Sequence, residues 1–217
     1  MLKKEDILAV GLDLDGTLYQ RTSQIDSRVR YKIAEKILEQ HPNLETVVNA
    51  YRHFNERYVL LKGGSRVLEE VGFKNPRKIM NWCLANADIL DLISHDEKLV
   101  RILKKIKQNH FVYLLTSSPE ELSLEKLARI GISPAIFNTK IYGDTPEADS
   151  KSKGTAFDLL LRKVPYIPKH HVFIGDSIIS DIFPAKERGM QTISVYNNTE
   201  EADANVNHIY EIEALLL

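Results

Sequence analysis

Short apolar runs and helical spacings divide this chain into two kinds of segment. Four runs, at 7–12, 111–115, 172–174 and 192–195, are short and rich in β-branched or aromatic residues. They predict buried strands of a parallel sheet, which are covered on both faces and need not alternate. Helical spacing lies between the later runs. Residues 120–130 place Leu124, Leu127 and Ile130 on one face, 156–161 continue an apolar face, and 182–188 form a short helix stopped by Gly189. Strands alternating with helices predict an α/β domain with right-handed crossovers.

The stretch from about residue 21 to 99 carries no strand pattern. Asp26 is placed to cap a helix with Val29, Ile33 and Ile37 on one face. His41-Pro42-Asn43 breaks the period, and Leu44, Val47, Val48, Tyr51 and Phe54 suit a second helix. Gly63-Gly64 marks a turn, and helix resumes through 77–83. The expectation is a core over 1–19 and 100–217, with an all-helical insert over 20–99. The crossings near Tyr19–Arg21 and Asp96–Leu99 are the expected hinges.

The composition is that of a globular protein, with 43% apolar and 27% charged residues among 217. Lys plus Arg total 29 and Asp plus Glu 30, so no basic excess points to nucleic acid. The single cysteine, Cys83, excludes an internal disulfide and argues against a thiolate zinc site. No run reaches the roughly 20 apolar residues of a membrane span. The first apolar run ends at Asp13, too short for a secretory signal. A cytoplasmic location, no membrane partner, and a monomer or homodimer are expected.

The candidate chemistry sits where the predicted strands end. The first delivers Asp13-Leu14-Asp15-Gly16-Thr17, the second Thr116-Ser117-Ser118, and the third Gly175-Asp176-Ser177, with Asp181 in the following turn. Lys151-Ser152-Lys153 lies between the last two. Ligands of doubly wound sheets bind at the carboxyl ends of the strands, so these groups converge. Taken singly, each has a plainer reading. A strand-end Asp often turns the chain or caps a helix, and a lone Lys is usually solvated. Their joint occurrence, in order, at strand ends favours chemistry.

Two like charges ~4 Å apart repel by about 4 kcal/mol at an effective dielectric of 20, so clustered carboxylates need a cation. All-oxygen donors favour Mg²⁺. A carboxylate can attack phosphorus, while a hydroxyl and a Lys hold the phosphoryl oxygens. A second carboxylate can protonate the leaving oxygen and then activate water.

This ordered set resembles the haloacid dehalogenase superfamily. Asp13-Leu14-Asp15-Gly16-Thr17-Leu18 is similar to its first motif and Leu115-Thr116-Ser117-Ser118 to its second. Gly175-Asp176-Ser177-Ile178-Ile179-Ser180-Asp181 is similar to its fourth. The resemblance implies a Rossmann-like parallel-sheet core with an inserted helical cap of type 1. It implies Asp13 as nucleophile and Asp15 as general acid/base. The metal would lie on Asp13, the Asp15 carbonyl and Asp176, with Asp181 beside it. Thr116 would bind phosphate, helped by the Ser117 backbone. For the third motif, Lys151 has the family spacing to Phe157, although Ser152 stands where relatives often have Pro; Lys153 is the alternative.

The insert falls where the family places its cap. Leu18-Tyr19, and Phe54-Asn55-Glu56-Arg57-Tyr58 followed by Lys62-Gly63-Gly64, resemble the pyrimidine 5′-nucleotidase branch, although Gly16 stands where that branch often has Asn. Arg57 is the cap residue expected to bind substrate. Arg52, His53, Tyr58, Lys62 and Arg66 are further donors, although taken singly each fits a solvated basic face or packing better than a binding role. The implied activity is a Mg²⁺-dependent phosphatase acting on a small phosphorylated metabolite. Nucleoside monophosphate, sugar phosphate and phosphoglycolate are the candidates. A phosphomutase of the β-phosphoglucomutase type keeps the same motifs, and a non-catalytic regulatory or binding protein on the same fold is the third reading.

Overall fold

The computed structural model describes residues 2–61, 63–148 and 150–217. The chain divides into two compact units, 21–92 and 1–20 with 93–217.

The smaller unit is helical: α1 (Ser23–Gln40), α2 (Val47–Leu61), α3 (Gly64–Glu70) and α4 (Pro76–Ala85). Ile25, Val29, Ile33 and Ile37 bury one stripe of α1, at the spacing that brings one face to a core. The cap of α1 is Thr22, not Asp26. The Thr22 hydroxyl accepts the Ile25 N–H at 3.3 Å, while Asp26 pairs with Arg21 at 2.6 Å. A Thr one turn upstream can reach the same orphan N–H groups that an Asp would. On α2 the buried face is Ala50 and Phe54, whereas Val48 is exposed and Leu44 belongs to the preceding turn. Cys83 is buried, and burial pushes its thiol up to about 12, the condition of an inert thiol. The second boundary lies ahead of the expected one. Asp96 is the N-cap of α5 (Glu97–Asn109), where its carboxylate accepts the Leu99 N–H at 2.9 Å. Residues 93–99 therefore belong to the core unit.

The larger unit is a six-stranded sheet, every neighbouring pair of which is parallel. Its strands are β1 (Ala9–Leu12), β2 (Phe111–Leu115), β3 (Thr139–Ile141), β4 (His171–Gly175), β5 (Gln191–Val195) and β6 (Ala204–Val206), in the order β3-β2-β1-β4-β5-β6. The four apolar runs are the four central strands. β3 and β6 are three-residue edge strands, too short and polar to announce themselves. Besides α5, the connections carry α6 (Glu120–Ile130), α7 (Thr155–Lys163) and α8 (Phe183–Glu187), and α9 (Ile212–Leu216) ends the chain. Phe157 of α7 meets Phe173 of β4 edge to face, centroids 4.8 Å apart, within a core that includes Tyr113, Leu160 and Met190. Gly11 is required in β1 because a Cβ there would collide with the Tyr113 ring.

On α6 the observed buried face is Leu122, Ser123, Lys126, Leu127 and Ile130, so the expected Leu124 face is corrected. Leu124 is 36% exposed. Both sets fit helical spacing, and the true one carries two polar residues. The chain leaves β1 toward β2 and β3 on one side and returns to β4 on the other. The sheet thus has its switch point between the carboxyl ends of β1 and β4, the place where ligands of doubly wound sheets bind. Among the described residues, no helix is long and apolar enough to cross a membrane.

Candidate active site

β1 ends at Leu12, and Asp13 follows it at that switch point. The Asp13 N–H continues the ladder onto Ile174 of β4 at 3.0 Å, which fixes its backbone. The chain then turns back on itself, with the Thr17 and Leu18 N–H groups donating to the Leu14 carbonyl. Gly16 makes the turn possible. Its φ is +86°, and a Cβ would lie 2.5 Å from the Asp176 carboxylate. The result is Asp13, at 5% exposure, beside Asp176 and Asp181 from the end of β4.

These three carboxylates each offer an oxygen within 4.8 Å of the other two. Lys151, buried at 6% exposure, answers part of that charge. Its Nζ lies 2.5 Å from Asp13 Oδ1 and 2.5 Å from Asp181 Oδ1. The other Asp181 oxygen accepts the Ser177 N–H at 2.9 Å. Lys153, one turn of loop away, is exposed. Of the two lysines, Lys151 is the one the structure brings to Asp13. Burial pushes the Asp13 carboxyl well above its ordinary value; Lys151 opposes this, and Asp181, Asp176 and Asp15 reinforce it. Burial acts against the charge of Lys151 too, but Asp13 and Asp181 outweigh it and hold the ammonium above its usual range. The cluster carries more negative charge than Lys151 neutralises. Its donors are oxygens without His or Cys, so it fits a hard divalent cation such as Mg²⁺.

Asp15 points to a different set of partners. Its Oδ1 accepts the Tyr19 hydroxyl at 2.5 Å and the Lys126 ammonium at 2.5 Å. Its Oδ2 accepts the Ser118 hydroxyl at 2.6 Å, with the Thr116 hydroxyl at a long 3.5 Å. Burial alone would raise this carboxyl, but Lys126, Ser118 and Tyr19 hold it well below the usual carboxylate range. Thr116 is buried at the end of β2 and its Oγ1 accepts the Ser118 N–H at 3.1 Å. Ser117 is exposed at the tip of that loop.

Asp13, Asp15, Thr116, Lys151, Asp176 and Asp181 thus gather in one unit. Arg57 lies in the other, where its guanidinium is paired with Glu70, Nε to Oε2 2.7 Å. Arg66 is bonded to the Leu61 carbonyl, and Lys62 lies outside the described residues. Tyr19, Ser118 and Lys126 were missed as site residues. Ser118 stands in the strand-end set with Thr116 and Ser117, but the sequence assigns it no role of its own. Lys126 was hidden by the choice of the 124-127-130 face, although its spacing from Leu122 and Ile130 places it on the buried side.

Comparison with known proteins places the chain in a family and a fold. A family profile described as haloacid dehalogenase-like hydrolase matches residues 7–189. Comparison with curated proteins gives no match. Among solved structures, a haloacid dehalogenase-type phosphatase from Thermococcus onnurineus superposes with a TM-score of 0.66 at 16% identity, covering 97% of this chain and 98% of its own. A putative β-phosphoglucomutase from Thermotoga maritima gives 0.62 at 21% identity, with the same 97% and 98% coverage. A 2-haloacid dehalogenase from Pseudomonas syringae pv. Tomato gives 0.60 at 19% identity, again with 97% and 98% coverage. At these identities the superpositions establish the fold, and they span three chemistries. With the profile covering most of the sequence, the conclusion is that this chain belongs to the haloacid dehalogenase-like hydrolase family.

Proposed function

We propose that this protein is a Mg²⁺-dependent phosphomonoester hydrolase acting on a small phosphorylated metabolite through an aspartyl-phosphate on Asp13. The observation that carries the reading is Asp15. A haloalkanoate hydrolase has no leaving oxygen to protonate and needs no proton-transfer group two residues beyond its nucleophile. Here that position holds a carboxylate with four side-chain partners around its two oxygens.

Asp13 and Asp176 would hold the metal together with the Asp15 carbonyl, and Asp181, whose oxygens already face Lys151 and the Ser177 N–H, would add its charge from beside them. When bound, Mg²⁺ supplies positive charge against the phosphoryl oxygens, which lets an anionic ester approach an anionic nucleophile. Lys151 fixes one oxygen of Asp13 and presents its ammonium to the phosphoryl group, while Thr116 and the Ser117 backbone offer donors opposite. The Asp13 carboxylate attacks phosphorus, the ester P–O bond breaks, and Asp15 delivers a proton to the departing oxygen. In the second half, Asp15 takes a proton from water as the water oxygen attacks phosphorus, and Asp13 leaves as a carboxylate. Lys126, Ser118 and Tyr19 hold Asp15 in the ionised form that the second half uses. The first half needs that proton on Asp15: a phosphate monoester, with its second ionisation near 6, can carry one in and pass it to Asp15, which gives it to the departing oxygen.

The test is phosphate release from a panel of nucleoside monophosphates, sugar phosphates, phosphoglycolate and an aryl phosphate, with Mg²⁺ and with chelator. Mg²⁺-dependent release that vanishes in Asp13→Asn supports the proposal, and a preference within the panel names the substrate. Isomerisation of a sugar phosphate without release would replace it with the mutase reading. Neither release nor isomerisation would leave the regulatory one.

A further inference from the structure

Lys126 is a fully buried lysine that the motifs of the family-like sequence do not include. It sits in the middle of α6 at 0% exposure, between Leu122 and Ile130 on the face that packs into the core. Its Nζ reaches Asp15 Oδ1 at 2.5 Å and donates to the Ser118 hydroxyl oxygen at 2.8 Å. Ser118 in turn donates to Asp15 Oδ2 at 2.6 Å. With the Nζ occupying an acceptor position on Ser118 Oγ, the hydroxyl hydrogen is directed at Asp15. Tyr19 closes the ring on Oδ1. Three separate elements therefore grip one carboxylate: the turn after β1, the loop after β2, and α6.

We propose that Lys126 is the positioning residue for Asp15, acting through that carboxylate and through Ser118 to hold the acid/base group in its working orientation. This rests on the phosphohydrolase reading above. Stability alone does not account for the arrangement, because buried ion pairs replaced by apolar side chains of similar size are often no less stable. The lysine is also unlike Lys151: it touches neither Asp13 nor any other member of the acidic cluster among the contacts described. Its influence on turnover must pass through Asp15. Misplacing a reacting group by about 1 Å costs on the order of a hundredfold in rate, so the expected effect falls on kcat and spares substrate binding.

The experiment is a double-mutant cycle on the full chain with Mg²⁺ and an aryl phosphate, comparing wild type, Lys126→Met, Asp15→Asn and the double variant. The expected result is a fall in kcat of roughly tenfold to a hundredfold for Lys126→Met with KM nearly unchanged. In the Asp15→Asn background the same substitution should cost nothing further. A loss that persists in that background, or a rise in KM, would show Lys126 acting on substrate and overturn the proposal. An unchanged kcat with only a lowered Tm would reduce Lys126 to a structural pair and overturn it too. Should Lys126→Met not fold, because the half-buried Asp15 is left without its cation, Ser118→Ala removes the second arm while keeping the ion pair, and it should likewise lower kcat at constant KM; an unchanged kcat would overturn the proposal. Wild type that releases no phosphate sinks the hydrolase reading itself. Wild-type activity combined with an indifferent Lys126→Met sinks only this inference.

Discussion

Lys151 and Asp13 lie 138 residues apart in sequence, yet Lys151 Nζ sits 2.5 Å from Asp13 Oδ1, both side chains almost wholly buried. The contact joins the loop before α7 to the end of β1, and the same ammonium reaches Asp181 after β4. One cation thus ties together three separate stretches of chain at the switch point. Breaking a buried pair from one side leaves an uncompensated charge, at about 3–5 kcal/mol. Lys151→Met is therefore expected to lose turnover and to unfold at a markedly lower temperature. Lys153→Met, at an exposed position, should keep both. Phosphate release and thermal unfolding on the two variants check this, and equal behaviour would contradict the assignment.

The turn at Gly16 makes a second prediction. An alanine there meets two obstacles, a left-handed backbone at φ +86° and an Asp176 carboxylate 2.5 Å from its Cβ. The backbone strain alone is about 1–2 kcal/mol. Because the carboxylate that must move is a proposed metal ligand, Gly16→Ala should weaken Mg²⁺ dependence more than it weakens the fold. Mg²⁺ titration of activity beside a melting curve separates the two effects.

Metal binding can be read without turnover. A ligand that binds only the folded state raises stability by RT ln(1 + [L]/Kd), about 2.7 kcal/mol at a hundred times Kd. Mg²⁺ should therefore raise Tm in wild type, chelator should reverse it, and Asp176→Asn should abolish the shift. An Asp176→Asn shift equal to that of wild type would remove Asp176 from the site.

How much of this was legible beforehand follows from where the signals lie. β1, β2, β4 and β5 are continuous apolar runs because both their faces are covered. Edge strands β3, Thr-Lys-Ile, and β6, Ala-Asn-Val, are half exposed and lack that signature. Asp13, Asp15, Asp176 and Asp181 stood out because they follow strand ends at fixed spacings. Lys126 did not, because a charged residue on an amphipathic helix reads as surface until the buried face is known. Its partner Asp15 is 111 residues away, and no local pattern encodes that distance.

Away from the site, His171 opens β4 in a fully buried position. Its Nε2 lies 3.0 Å from the Tyr166 carbonyl oxygen and its Nδ1 3.2 Å from the Tyr113 hydroxyl, an arrangement that suits the neutral ring. Burial pushes its pKa below 6.5; the Tyr166 carbonyl opposes this and His170 adds to it. The unfolded chain then takes up the proton first, so this contribution to stability is complete above 6.5 and is lost as pH falls toward the folded value. Tm should drop between about pH 7.5 and about pH 5.5, and His171→Gln should flatten that slope. An unaltered slope would assign the acid sensitivity elsewhere.

The central claim is that Asp13 carries the phosphoryl group. An aryl phosphate has a leaving group that needs little protonation, so Asp15→Asn should pass the first half of the reaction and stall in the second. Intact mass measured after mixing Asp15→Asn with Mg²⁺ and an aryl phosphate tests this most directly. The account predicts a gain of one phosphoryl group, labile to base, that is absent when Asp13→Asn is added to the same chain. Phosphate release by wild type with no phosphoryl on Asp15→Asn, or a phosphoryl group that survives Asp13→Asn, would contradict it.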